Sequence, residues 1–200
     1  LKKMKKIFTI AARQLSPACA LITSGQTIPA GCVVPVRGVS PDVILINYDD
    51  YTDNYNSSTN IITTITAANP GFTWEGLKTS TKPVATKKEG TYEDSFELSI
   101  QMVSFSVTAA IRKQLQAGVK VVALLKHNEK GASGATKWNA WGRDTGLHIR
   151  DLVWDLNSPD TGGITFTLKT LDDQPSATLP VTVFITDEAT TDTLIAGLLT

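Results

Sequence analysis

The chain holds two histidines, His127 and His148, and two cysteines, Cys19 and Cys32. Acid–base catalysis would fall first to the imidazoles, which titrate near neutral pH. His127 stands at the mouth of the stretch HNEKGASGAT (127–136). His148 lies between Leu147 and Ile149, and strand parity turns it away from their face. No Ser or Cys stands in a nucleophile motif such as G-x-S-x-G. A zinc site would have to gather all four residues, and neither the cysteine nor the histidine spacing matches the short knuckles of structural zinc. The cysteines, thirteen positions apart, suit one disulfide, two buried thiols, or two thiols facing across a hairpin. The expectation is no catalytic residue, no metal ligand, no cofactor-binding residue and no cofactor: a protein that is not an enzyme.

Two other clusters carry chemistry. Asp49, Asp50, Asp53, Asn54 and Asn56 crowd the stretch DDYTDNYNSST (49–59), and oxygen ligands so spaced can hold calcium. An EF-hand loop needs Gly at its sixth place and Glu at its twelfth. Counted from Asp49, those places hold Asn54 and Asn60. Asx-turns account for the cluster without an ion. Trp138, Trp141 and Trp154 could form a sugar-stacking platform, but Trp138 and Trp141 are an odd number apart and point to opposite faces of a regular strand. Tyr48, Tyr51 and Tyr55 are a second aromatic set, suited to a protein contact. No Gly-rich phosphate loop occurs.

The elements that would position these residues read as mainly β. Threonine fills 27 of 200 positions, and it favours pleated, half-exposed sites. Gly25 to Pro41, rich in Pro and Gly, reads as turns and an edge piece. Val43–Asn47 and Val119–Lys126 are continuous apolar runs, expected as buried strands. Asp49–Thr59 is expected as a polar loop. Asn60–Ala67 and Phe72–Leu77 flank Asn69-Pro70-Gly71 and read as a hairpin. Lys78–Gly90 is expected as a loop. In Tyr92–Val103, Phe96, Leu98, Ile100 and Met102 alternate with polar residues, the pattern of a strand with one buried face. Thr108–Ala117 has helix formers, Ile111 and Leu115 one turn apart, and Gly118 as a stop. Lys137–Gly142 returns from the 127–136 tip. In Gly146–Leu156 the apolar phase slips between Leu147/Ile149 and Leu152/Trp154, which predicts a bulge near Asp151. Asn157–Gly163 is a turn, and Ile164–Leu171 and Val181–Thr186 close the sheet. The fold class expected is an antiparallel β-sandwich or barrel with one packed α-helix, about 108–117, and extended loops and arms.

Charge narrows the partners. Nineteen basic and nineteen acidic residues give zero net charge and a pI near 6.9, unlike a dedicated nucleic-acid binder. No run of about 18 apolar residues occurs, so no membrane-spanning helix is expected. Lys2, Lys3, Lys5, Lys6 and Arg13 precede the first acid, Asp42. The six residues from Ile7 to Ala12, with Thr9 among them, fall short of a signal-peptide core. The organisation expected is a basic extension over 1–18, one β-rich domain over 19–186 and a C-terminal tail over 187–200 that docks or reaches a neighbour.

Three stretches together resemble a known family. They are Cys19…Gly25…Cys32 with VRGV (36–39) and VILINYDD (43–50); Phe96–Val103 leading through a helix into VKVVALL (119–125); and WNAWGRDTGL (138–147). Their order is similar to that of tail-tube-type virion structural proteins of tailed bacteriophages infecting Bacteroidetes, over roughly residues 18–186. The resemblance implies a subunit that self-assembles into hexameric rings stacked into a conduit for DNA. It implicates the Asn60–Leu77 and Tyr92–Val103 strands in an inner barrel. The 78–90 and 127–136 loops and both terminal segments would make subunit contacts. Its partners would be copies of itself and other tail or head–tail proteins, with DNA only as non-specific cargo and no membrane. Its place would be the virion tail, after assembly in the host cytoplasm. Another head–tail connector or ring protein shares these traits, and a carbohydrate-binding β-sandwich is the alternative of a different class.

Overall fold

The structure, a computed structural model, describes residues 38–76, 81–101, 109, 113, 117–155 and 163–200. Two apolar runs organise it. VILI in β1 (Val39–Asn47) and VVALL in β7 (Lys120–His127) pair antiparallel, with Ile44 opposite Leu124. Both strands are buried on both faces. Val43, Leu45, Val121, Ala123 and Leu125 enter one core, while Ile44, Ile46 and Leu124 enter a second. Strand alternation sends successive side chains to opposite sides, so a continuous apolar run becomes a wall between two cores.

The sheet forks at this wall. One edge of β7 carries β1, which in turn carries β4 (Phe72–Glu75). The other edge carries β8 (Trp138–Trp141) over one half and β9 (Leu147–Asp155) over the next two residues. From β9 the sheet runs through β10 (Gly163–Lys169) and β6 (Thr91–Gln101) to β5 (Lys82–Lys88). From β8 it runs through β11 (Val181–Val183) and β3 (Ile61–Ala67) to β2 (Tyr51–Asn56). Among the described residues, nine of the eleven strands pair only antiparallel, and β11 and β3 share a short parallel match. The first arm closes over Phe96, Leu98, Ile164, Phe166 and Leu168, with Trp74 set edge-on to Phe166 at 5.5 Å between ring centroids. The second closes over Ile62, Ile65, Trp138, Val181 and Val183. The fold is therefore mainly β and sandwich-like, with a mixed sheet that does not close.

Several expectations fall differently. Asn69-Pro70-Gly71 turns the chain, yet β4 does not pair with β3; it crosses to β1, because β3 already has β2 on one edge and β11 on the other. The polar 49–59 stretch is a 3-10 turn (Tyr48–Asp50) followed by strand β2. The 78–90 stretch contains strand β5, zipped to β6 through a two-residue turn at Glu89-Gly90. The bulge does lie at Asp151, which has φ +49° and shares the place opposite Phe166 with Leu152. The segment after 186 forms helix α1 (Glu188–Gly197), capped by Asp187 accepting from the Thr190 amide. It docks through Ile195 and Leu198 onto the second core. Of the helix expected at 108–117, Ala109 and Lys113 are helical, and 110–112 and 114–116 lie outside the described residues. So do the 1–18 extension, Cys19, Cys32, Met102, Val103 and most of the 157–163 turn. The described residues all belong to one structural unit.

Candidate functional site

The two imidazoles do not meet. His148 pairs with Lys120 at the start of β7, and His127 ends that strand, seven residues and roughly 23 Å further on. Burial holds both below the ordinary histidine range, and at His148 Lys120 and Arg150 add to it. Trp138 enters the second core and Trp141 the first, on opposite faces of β8, so the two indoles form no common platform. The Trp138 indole N–H donates to Asp192 on α1 at 2.8 Å. The acidic stretch is bonded internally. Asn56 accepts from the Ser58 and Thr59 amides as an Asx-turn, and Asp50 accepts from Asn47 and Asn69. Among the described residues no three His, Cys, Asp or Glu converge on a metal position.

What converges instead is a polar clasp at the β8–β9 turn, Gly142-Arg143-Asp144-Thr145-Gly146. Gly142 has φ +71°, and a Cβ there would lie 3.0 Å from the Leu147 backbone nitrogen, so the turn needs glycine. Arg143 reaches β2: its Nε donates to Asp53 Oδ2 at 2.7 Å, and its guanidinium lies 4.1 Å from the Tyr55 ring centroid. Its Nη1 donates to Asp144 Oδ1 at 2.5 Å. Tyr51 donates to the same Asp53 oxygen at 2.8 Å. Burial, then the Asp53 carboxylate, push its phenol far above the ordinary tyrosine range, so it stays a donor. Asp144 Oδ2 gathers the 176–178 loop, accepting from Ser176 Oγ, the Ala177 and Thr178 amides and Thr178 Oγ1 at 3.0–3.2 Å. Tyr48 donates to the Asp144 carbonyl at 2.6 Å, and Lys120 Nζ lies 3.7 Å from the Tyr48 ring. The Arg143, Tyr48 and Tyr51 donors are matched, while the buried Thr145 hydroxyl has no partner among the described residues. The chemistry is that of a brace between the two arms of the sheet.

Behind the clasp lies Asp94, on the same parity of β6 as Phe96 and Leu98 and only 1% exposed. Its backbone is fixed by Thr170: the Asp94 amide donates to Thr170 Oγ1 and the Thr170 amide to the Asp94 carbonyl. Its carboxyl is poorly served. Oδ2 accepts one 3.3 Å bond from the Gly142 amide, and Oδ1 is buried with no partner. Burial pushes this carboxyl up to about 6; the Gly142 N–H pulls the other way, and the Asp144 charge adds to the rise. The parity of the Tyr92–Val103 pattern extends back to Asp94, and that is the signal by which the sequence could have exposed it.

The sheet ends are the remaining feature. Among the described residues, β2 and β5 each have a strand on one side only. The β5–β6 turn has φ +44° at Glu89 and +92° at Gly90, the type I′ pattern. Lys88 and Thr91 then form the closing hydrogen-bonded pair, and alternation aims the backbone of residues 83, 85 and 87 outward. Residue 83 is proline, which suits an outward position because no ladder donor is lost. Val84 on this strand is 55% exposed. An apolar cavity of about 190 Å³ opens at one end of the first core, lined by Leu45, Phe72, Trp74, Val119, Ile149 and Phe166 among others. Compared with known proteins, the chain matches no family model, no curated protein and no solved structure.

Proposed function

We propose that the chain is a non-enzymatic structural subunit of a tailed-phage particle, of the tail-tube type, that self-assembles into stacked sixfold rings around a DNA conduit. The observation that supports this reading best is the open sheet, in which, among the described residues, β2, β5 and β4 each have a strand on one side only. An unpaired edge is a template for another chain. Two different edges on one subunit permit a head-to-tail contact, which generates a ring when the rotation closes. Zero net charge suits a channel that must not grip its cargo. A head–tail ring or connector protein would use the same edges. The carbohydrate-binding reading has less behind it, because the Trp138 and Trp141 indoles are split between two cores.

Negative-stain electron microscopy with mass photometry over a range of concentrations tests this. Rings or striated tubes are expected. Lys87→Pro removes one outward N–H without touching the β5–β6 ladder, so it should leave the monomer folded and shift assembly to at least tenfold higher concentration. A wild-type chain that stays monomeric at every concentration, and binds a glycan instead, would overturn the reading.

A further inference from the structure

Asp94 is a buried carboxyl that no cation among the described residues serves. The charged groups around it are committed to one another. On the β8–β9 turn, Arg143 is held by Asp53 and Asp144. Beside Thr170, Lys169 pairs with Glu93 and Asp172. On β5, Lys88 pairs with Glu93, and the residue opposite Asp94 is the uncharged Ala85. Among the described residues, the one charge whose field reaches Asp94 is the like charge of Asp144. The neutral acid therefore suits this site and the carboxylate does not.

The position gives the protonation state leverage. Through Gly142, Asp94 touches the turn that carries Arg143 and Asp144. Two residues earlier on β6, Tyr92 exchanges both backbone hydrogen bonds with Ser176, at 2.9 and 2.8 Å, and Ser176 is in turn bonded to Asp144. The β6 backbone, the turn and the 176–178 loop thus close one ring of contacts with Asp94 inside it.

We propose that Asp94 is a proton-gated latch: neutral, it seats β6 against the β8–β9 turn and the 176–178 loop; ionised, it lets these three parts separate. The proposal concerns the folded subunit and stands apart from the assembly reading. The burial that raises the carboxyl to about 6 sets the window. Where the latch is open and the carboxyl meets water, it titrates near its ordinary value of about 4, so opening is favoured progressively as pH rises from about 4 through 6. Two units of difference correspond to an opening equilibrium up to about a hundredfold larger at pH 7.5 than below pH 4.

The test is amide hydrogen exchange, corrected for the intrinsic pH dependence, on wild type and Asp94→Asn between pH 4.5 and 7.5. The Gly142, Ser176 and Thr178 amides of the wild type should lose at least tenfold of their protection as pH rises, while Asp94→Asn keeps its protection throughout. The Asp94 side-chain carbon, followed by NMR in the wild type, should titrate near 6 and needs no variant. A midpoint at or below 4, or the same pH dependence in Asp94→Asn as in wild type, would sink the latch.

Discussion

Asp144→Ala removes the acceptor on which the clasp converges. Five donors reach this carboxylate: Arg143 Nη1 at Oδ1, and Ser176 Oγ, two amides and Thr178 Oγ1 at Oδ2. Hydrogen bonds to a charged acceptor contribute about 1.5–3 kcal/mol each when well formed. Four donors on one oxygen cannot all be optimal, and the Ala177 amide is exposed enough to find water. Counting the Arg143 contact and the Oδ2 cluster as about two effective bonds gives 3–6 kcal/mol. Rehydration of the loop and relief of the field at Asp94 offset part of it, so a net loss of about 3 kcal/mol is expected. In urea at pH 7, with m near 2 kcal/mol/M, the midpoint should fall by about 1.5 M at unchanged m. Asp144→Asn keeps an acceptor without the charge and should lose about half as much. A loss below about 1 kcal/mol for the alanine variant, or equal losses for both, would show that the 176–178 loop is held by its own backbone and that the clasp reasoning is wrong.

Other consequences can be checked with the same melts. Gly134→Ala places a Cβ 2.5 Å from Glu188 Cβ at φ +81°, so it should cost about 2–4 kcal/mol and loosen α1, read as lost protection at Thr191 and Ile195. Lys137, 3% exposed and paired with both Glu188 and Asp192, should lose about 2 kcal/mol on change to Met; the carboxylates left behind are half-exposed, which keeps the loss below that of a fully buried pair. Phe166→Ala empties a fully buried site under Trp74 and should cost about 3–5 kcal/mol. The pH profile has two opposed flanks. Glu93, held low by Lys88 and Lys169, and Glu188, held at about 2 by Lys130 and Lys137, contribute stability present above their unfolded range and lost as pH falls through their folded values. Asp94, raised to about 6, contributes the reverse: stability present below about 4 and lost as pH rises to 6. Wild-type stability should therefore peak between about pH 4 and 6, and in Asp94→Asn the alkaline flank should flatten; a peak above pH 7 would contradict it.

The double-faced strands were legible because burial on both sides leaves a run with no polar interruption, as in VILI and VVALL. The Asp151 bulge was legible for a related reason: an inserted residue shifts parity, and the apolar phase of Leu147/Ile149 against Leu152/Trp154 records the shift. Edge strands left weaker traces. In β5 only Pro83 and Ala85 face inward with partial burial, so Lys-rich composition outweighs the period. In β2 the inward face is Tyr51, Asp53 and Tyr55, and the Asp and Asn between them read as turn formers. The β3–β4 hairpin failed because a turn signal fixes where the chain reverses, and edge availability decides which strand it then meets. The clasp lay beyond local pattern: Arg143 and Asp53 are ninety positions apart, and no spacing rule links them. Helix α1 carried its N-cap, Asp187, in plain view, but contiguous apolar residues near the end masked its helical period.

The wall of β1 and β7 also sets how the chain can reach this fold. Ile44 opposes Leu124, eighty positions away, and closing a loop of that length costs about 4 kcal/mol in chain entropy before any contact is made. Both cores need the same pairing: the first cannot bury Val43 and Leu125, nor the second Ile44 and Leu124, until the two strands have met. Folding then has one late, long-range gate, with a slow single-exponential phase of the kind high contact order produces. Substitutions at Ile44 or Leu124 should retard folding more than they accelerate unfolding.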